Sequence, residues 1–290
     1  MNETFVPDST YRDEALNFSK TDRYVLSIQL GLDGFSFSVL DRELKKFLAL
    51  EAFSFKGVET SIQFCKKLDE FLEQHPWMKN HFHKVYLLYE TPKATLIPEP
   101  LFENSERDQF LHFNHDLSTY EQIRSDYLKN IEAYQIYSIP DCLKYRVDRY
   151  FKKAELLHFS TPLIESLIIT TKNQDVSNKI FLNVRNHYLD IVILNEEGLR
   201  FFNSFYFATP EDLIYYLLFV MEQLGFNPED VDLRIMGNIR KFSKEYEMLY
   251  TYVRNVSFES RTGAFNYSYV FDKVPHHFYY NLFNVNICGL

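Results

Sequence analysis

The stretch Leu26-Ser-Ile-Gln-Leu-Gly-Leu-Asp-Gly-Phe-Ser-Phe-Ser-Val-Leu-Asp41 decides the fold. Leu26, Ile28 and Leu30 alternate with polar residues, Leu32-Asp33-Gly34 supplies turn chemistry, and Phe35, Phe37 and Val39 alternate again. That is the pattern of a β-hairpin with one buried face. A second break at Asp41-Arg42-Glu43 precedes Phe47 to Phe53, so the opening reads as a three-stranded meander. Ile62, Cys65, Leu68, Phe71 and Leu72 then recur at steps of three and four residues and predict an amphipathic helix ending near His75-Pro76. A strand from Val85 to Tyr89 follows it.

The second half repeats this plan. At a constant offset of 154 residues, Leu26, Ile28, Leu30, Val39, Leu40 and Phe47 meet Ile180, Leu182, Val184, Ile193, Leu194 and Phe201 without a gap. The match continues through a helix from Pro210 to Leu224, closed by Gly225, and a strand from Val231 to Met236. Ile139-Pro140 opens a helix carrying Leu143, Val147 and Tyr150, as Val274-Pro275 opens one carrying Phe278, Leu282 and Val285. Ungapped register over three strands favours duplication over two unrelated meanders. Each half then reads strand, strand, strand, helix, strand, helix, strand, helix. The expected divisions are a mobile arm over residues 1–22, a first subdomain over 23–152, a second over 153–274, and a C-terminal helix over 275–290 that completes the fold.

Three antiparallel strands followed by parallel strands with crossover helices is the order of the ribonuclease H-like fold, and two copies in tandem resemble the actin-like ATPases. Each half would be an α/β unit with a mixed five-stranded sheet and flanking helices. More narrowly, the Leu26 to Asp41 stretch, with Thr95-Leu-Ile-Pro-Glu-Pro-Leu-Phe102, resembles a bacterial domain-of-unknown-function family placed with those ATPases. The likeness covers about residues 22 to 288. It implies a fold and no established activity.

Composition bounds the remaining classes. The chain has 290 residues, 46% hydrophobic and 24% charged, which fits a globular protein with a sizeable core. Rings are abundant, with 28 Phe and 21 Tyr, and eight Gly are few for chemistry built on glycine-rich loops. A net charge of -9 argues against phosphate-backbone binding, so no nucleic-acid partner is expected. Cys65, Cys142 and Cys288 are widely spaced and odd in number, which suggests neither a disulfide framework nor a zinc site and fits a reducing cytoplasm. The start of the sequence lacks a signal-peptide pattern, and the apolar run Leu213 to Met221 is about half the length of a membrane span.

The resemblance to actin-like ATPases implies an aspartate near the end of the first strand of each half, where carboxylates position magnesium and water, and small residues that admit phosphate. The pattern Asp-x-Gly falls on Gln29 and Gly31 in the first half, with Asp33 and Gly34 at the turn. In the second half it falls on Asn183 and Arg185. Gln and Asn carry no charge, so neither binds magnesium strongly nor acts as a general base. The small-residue turn that meets adenosine maps to Ile235-Met-Gly-Asn-Ile239. The expected remnant of a nucleotide cleft is therefore Gly31, Asp33, Gly34, Asn183, Gly237 and Asn238, with no catalytic residue, metal site or resident cofactor. The same substitutions argue against nuclease action.

The reading that follows is a noncatalytic interaction or assembly module with an unknown protein partner. The alternatives are a magnesium-dependent ATPase or sugar-kinase-like enzyme using Asp33, Asp41 or Asp190, and a sensor that binds ATP without turnover. His75, His81 and His83 lack a partner set for a metal, and Ser160-Thr161-Pro162 and Ser204 lack a nucleophile elbow. The acidic segment Glu99 to Asp108 reads as a surface loop. Phe201, Phe202, Phe205, Tyr206 and Phe207 place rings on both faces of one strand, and Tyr215 to Val220 are apolar nearly all round a helix. These fit either a thick core or an aromatic surface through which two copies pair.

Overall fold

The computed structural model describes residues 5–288. The chain forms two compact units, residues 5–162 with Gly263–Lys273, and Leu163–Thr262 with Val274–Cys288. The division follows Pro162, where the sequence analysis set it after residue 152.

In the first unit, β1 (Ser9–Arg12) precedes the expected hairpin and third strand, β2 (Tyr24–Gly31), β3 (Gly34–Asp41) and β4 (Lys46–Ser54). Helix α1 (Ser61–Gln74) begins at a capping box in which Thr60 and Gln63 exchange side-chain to backbone bonds. β5 (Lys84–Tyr89) follows, and then an insertion: β6 (Ala94–Pro98), α2 (Arg107–His112), β7 (Glu121–Leu128) and β8 (Ala133–Pro140). These three strands form a separate antiparallel sheet ordered β6-β8-β7. The eight-element plan omitted this sheet. Glu99–Leu101 and Asn104–Glu106 are short 3-10 turns ahead of α2, and the acidic side chains there are mostly exposed, so the segment expected as a loop lies between two elements.

Helix α3 (Asp141–Tyr150) and β9 (Glu155–His158) complete the first unit, and α4 (Ser160–Thr171) starts at its end and lies mostly in the second unit, after Pro162. The main sheet runs β1-β4-β3-β2-β5-β9, with β5 and β9 parallel to β2, and has seven strands where five are expected, because β1 and a short strand at Asn266–Tyr267 both add to β4. α1 and α3 cover one face, where Phe71 meets Phe35 at 4.3 Å and Phe53 at 4.9 Å. Each such ring contributes about 1.5 to 3 kcal/mol on burial.

Two expectations are corrected here. The arm expected over residues 1–22 carries β1, antiparallel to β4 with Ser9 opposite Ala52, and Arg12 pairs with the buried Glu51. Residues 1–4 lie outside the described residues. A four-residue edge strand of Ser, Thr, Tyr and Arg has no apolar alternation to announce it. The cysteines also pair: Cys65 of α1 and Cys142 of α3 form a disulfide with Cα atoms 6.3 Å apart. Their separation of 77 residues hid the packing of one helix on the other, and the cysteine argument for a reducing compartment falls with it.

The second unit repeats the plan with β10 (Lys179–Val184), β11 (Tyr188–Asn195), β12 (Gly198–Tyr206), α5 (Pro210–Leu224), β13 (Asp232–Gly237), α6 (Lys244–Tyr252), β14 (Asn255–Phe258) and α7 (Tyr280–Asn284). Its sheet runs β12-β11-β10-β13-β14. Between β14 and α7 the chain contributes β15 (Asn266–Tyr267) to the first unit, parallel to β4. The duplication extends to irregularities. The β3/β4 ladder shifts register between Val39 and Leu40, and the β11/β12 ladder between Ile193 and Leu194, the same step 154 residues on, but the third strands leave that offset: Ile193 faces Phe201 where Val39 faces Ala49, so Phe201 answers Ala49 and not the expected Phe47, because the β11–β12 turn is shorter. α5 starts at the Thr209 capping box and stops at Gly225. It buries Leu213, Leu217, Val220 and Met221 but leaves Tyr215 and Phe219 exposed on its outer face. Among the described residues, no helix is long and apolar enough to cross a membrane.

Candidate functional site

In the first unit the β2–β3 hairpin turns at Leu32-Asp33, with Gly31 opposite Gly34. The parallel neighbour β5 sets Tyr89 opposite Leu30, and the N–H of Glu90 donates to the carbonyl of Leu30 at 2.8 Å. Glu90 therefore arrives beside Gly31, and Gln29 Nε2 donates to its Oε1 at 2.6 Å. A Cβ built on Gly31 would lie 2.8 Å from Asp33 Oδ1 and 3.6 Å from Glu90. Gly31, Asp33 and Gly34 thus stand together with Gln29 and a carboxylate that the sequence analysis missed. The signal was available: a strand parallel to the first delivers the residue after its end to the same edge of the sheet. Gly34 is explained by packing, because at φ +151° its Cβ would meet the carbonyl oxygen of Phe53 at 2.1 Å.

In the second unit the position expected for aspartate holds Asn183, opposite Asp190, which is itself opposite Ser204. The three side chains form a row across β10, β11 and β12. Asn183 Nδ2 donates to Asp190 Oδ2 at 2.8 Å, and the Ser204 hydroxyl donates to Oδ1 at 2.6 Å. Arg185, two residues beyond Asn183, completes the set with Nε to Oδ2 at 2.9 Å and Nη2 to Oδ1 at 2.8 Å. Asp190 is fully buried, with both oxygens bonded twice. A carboxylate held this way by a planar guanidinium is turned toward its own sheet rather than outward to a metal.

The turn after β13 is equally occupied. Gly237 sits at φ +89°, and a Cβ there would lie 2.2 Å from the Val184 carbonyl oxygen and 2.8 Å from Asn183 Oδ1. The Asn238 N–H donates to the Val184 carbonyl at 2.6 Å, and Asn238 Nδ2 donates to Asn186 Oδ1 at 2.9 Å. The Gly237 N–H donates to the His277 carbonyl at 2.9 Å. His277 is buried against Phe258, and its Nε2 lies 2.8 Å from the Ile239 carbonyl. Burial holds its pKa below the usual histidine value. Asn183, Gly237 and Asn238 are therefore brought together, with bonds that tie the ends of β10 and β13.

Asp41 stands at the opposite end of its hairpin from Gly31, facing Tyr24. It pairs with Arg23 and accepts the backbone N–H groups of Glu43 and Leu44. Ser160 also finds a partner, since its hydroxyl lies 2.6 Å from His158 Nδ1. The other ring nitrogen faces the Thr91 carbonyl at 3.0 Å, and Asp126 accepts the backbone N–H of His158 rather than a ring proton. Asp126 further accepts from Thr161 at 2.9 Å and from the Tyr137 hydroxyl at 3.1 Å. This is a buried polar junction between the inserted sheet and β9, without the base-to-orienter bond of a triad. Among the described residues, no three His, Cys, Asp or Glu side chains are grouped to hold a metal ion.

A protein of Bacteroides thetaiotaomicron with an actin-like ATPase fold and unknown function is similar at 26% identity, with a TM-score of 0.75 over 84% of this chain and 93% of that one. The structure of the PilM–PilN type IV pilus biogenesis complex is similar in fold, with 9% identity and a TM-score of 0.59 over 91% of this chain and 98% of that one. No curated protein matches the chain. The fold is that of the actin-like ATPases, with two ribonuclease H-like subdomains. Residues 13–256 match the family described as protein of unknown function (DUF3822), and the chain belongs to that family.

Proposed function

We propose that this chain is a noncatalytic actin-like-fold protein that acts as an interaction or assembly module. The observation that carries the reading is the four-bonded Asp190, locked by Arg185 where a phosphate-binding hairpin needs a small residue and an outward carboxylate. Gln29 in the first half supports it, being an amide where magnesium chemistry needs a charge. The likeness to the PilM–PilN complex supports a protein partner by fold analogy alone. Thermal unfolding with and without magnesium and millimolar ATP tests it. A ligand of the folded state at ~100 times its Kd adds about 2.7 kcal/mol, a rise of several degrees. The proposal expects no rise.

The second reading, nucleotide binding with or without slow turnover, is favoured by Asp33 and Glu90 on either side of Gly31. In it, those carboxylates and the Gln29 amide would hold hydrated magnesium at the first hairpin. A magnesium-dependent rise in the midpoint selects this reading, and phosphate release then separates enzyme from sensor.

A further inference from the structure

The Cys65–Cys142 bridge joins the two helices that cover the first sheet, and its two sulfurs stand in unlike places. Cys65 lies in the second turn of α1 and is 1% exposed, in the core cluster with Phe64 and Leu68. Cys142 is the second residue of α3 and is only half-buried. Its helix starts at Pro140, which offers no side-chain cap to the N–H groups of the first turn. That end carries the positive pole of the helix dipole, which favours a thiolate. The neighbouring Asp141 carboxylate accepts from Gln122 Nε2 of β7 at 2.8 Å. One sulfur is thus open to attack and placed to carry charge, and the other is sealed in the core.

The packing of the two helices does not depend on the bond alone. Arg146 of α3 pairs with Asp69 of α1, and its Nη1 donates to the Cys142 carbonyl at 2.9 Å, so one guanidinium holds the start of α3 against α1. Leu143 and Val147 are buried in the same core cluster. The Cys142 Sγ lies 3.5 Å from the Ser61 carbonyl, which can accept the thiol hydrogen once the bond is open. Helix α3 follows β8 directly, since Pro140 both ends the strand and caps the helix. The bridge therefore fastens the exit of the inserted sheet to α1.

We propose that Cys65 and Cys142 are a redox-active pair, opened by thiol exchange at Cys142 with a dithiol reductant, and that the bond is a reversible latch on the exit of the inserted sheet. In the first step a thiolate of the reductant attacks Cys142 Sγ, the S–S bond breaks, and Cys65 leaves with the electron pair and takes a proton from solvent. In the second, the reductant's other thiolate attacks its own sulfur in the mixed disulfide, and Cys142 leaves as a thiolate at the helix N-terminus. The net change passes two electrons and two protons to the protein, and the reductant ends as a disulfide. The inference goes beyond the proposed function and does not depend on it, because it concerns α1 and α3 alone.

The test is reduction of the full chain by dithiothreitol without denaturant, in a Cys288→Ser background so that only this pair is counted, with thiols trapped by acid quench and alkylation. The expected rate is linear in dithiothreitol from ~1 to ~20 mM and changes by less than about twofold on adding ~1 M urea. A bond reached only through global unfolding would open about tenfold or more faster at that urea, and its rate would level off as dithiothreitol rises. With reduced glutathione in place of the dithiol, peptide mapping should find the glutathione on Cys142 and the alkyl group on Cys65. The opened chain should keep its circular dichroism and lose amide protection over Asp141–Tyr145, and reoxidation should restore it. Urea-accelerated or saturating reduction, or glutathione on Cys65, overturns the proposal and makes the bridge a structural one. Unchanged protection of α3 on opening overturns the latch.

Discussion

Replacing Arg185 with alanine removes the guanidinium that holds Asp190 through two bonds, at 2.9 and 2.8 Å, and leaves a fully buried carboxylate with Asn183 and Ser204 alone. Breaking a buried pair by deleting one partner costs about 3 to 5 kcal/mol, because the surviving charge has lost its counterion. Two of the four bonds persist, which places the expected loss near the low end, about 3 kcal/mol. At roughly 2 °C per kcal/mol for a chain of this length, the midpoint falls by about 6 °C. Urea unfolding followed by circular dichroism reads the free energy, and calorimetry reads the midpoint. Adding Asp190→Asn to the alanine variant removes the orphaned charge while keeping an acceptor for Ser204 and Asn183, so it restores at least half of the loss. A loss below about 1 kcal/mol for Arg185→Ala, or a double variant less stable than the single one, would refute the argument that this pair is what fills the second hairpin.

Gly237→Ala and Gly57→Ala both place a side chain at positive φ, but Gly57 has open space around it while the Gly237 Cβ meets backbone at 2.2 Å. Unfolding should show Gly237→Ala to be the costlier by about 2 kcal/mol or more, and equal losses would mean the turn is loose. Burial pushes the Asp126 carboxyl up from 3.8 to about 6. The folded chain then keeps a proton that the unfolded chain releases near pH 4, so this group's contribution is most favourable below that point. It is lost as pH rises to about 6, by about 3 kcal/mol in all. Asp126→Asn, which still accepts from Thr161 and His158, should remove that slope from stability measured between pH 4 and 7; an unchanged difference between variant and wild type across the window contradicts it. Reducing the Cys65–Cys142 bridge, which spans 77 residues, should lower stability by about 2 to 4 kcal/mol, and a Cys65→Ser/Cys142→Ser variant should match the reduced chain and ignore added reductant.

The elements that carry strong periodicity were legible. Leu26, Ile28, Leu30, Phe35, Phe37 and Val39 gave the hairpin its register, and the same period at Ile180 to Ile193 revealed the second copy, down to a shared bulge. What escaped were features whose cause lies off the local chain. β1 is specified by the edge of β4, not by its own residues, and the inserted three-stranded sheet broke a plan read from the order of the other half. The site was half legible. Arg185 stood out as a cation where a glycine would admit phosphate, but its partner follows only from the hairpin register that puts Asp190 opposite Asn183. Glu90 lies outside the first strand of each half, and only the parallel pairing of β5 with β2 brings its carboxylate to the same edge. The sequence makes α5 apolar nearly all round, and only the packing tells that Leu217 is core and Tyr215 is surface.

The central claim is that the actin-like fold persists here without its nucleotide chemistry. Isothermal titration of ATP with magnesium into the full chain at about 100 µM measures it most directly, since any site tighter than a Kd of ~100 µM gives a saturable signal. The account predicts heats indistinguishable from dilution, and no gain on exchanging ATP for ADP. Saturable magnesium-dependent binding at one site per chain, abolished by Glu90→Gln or Asp33→Asn, would contradict it and place a working nucleotide site beside Gly31.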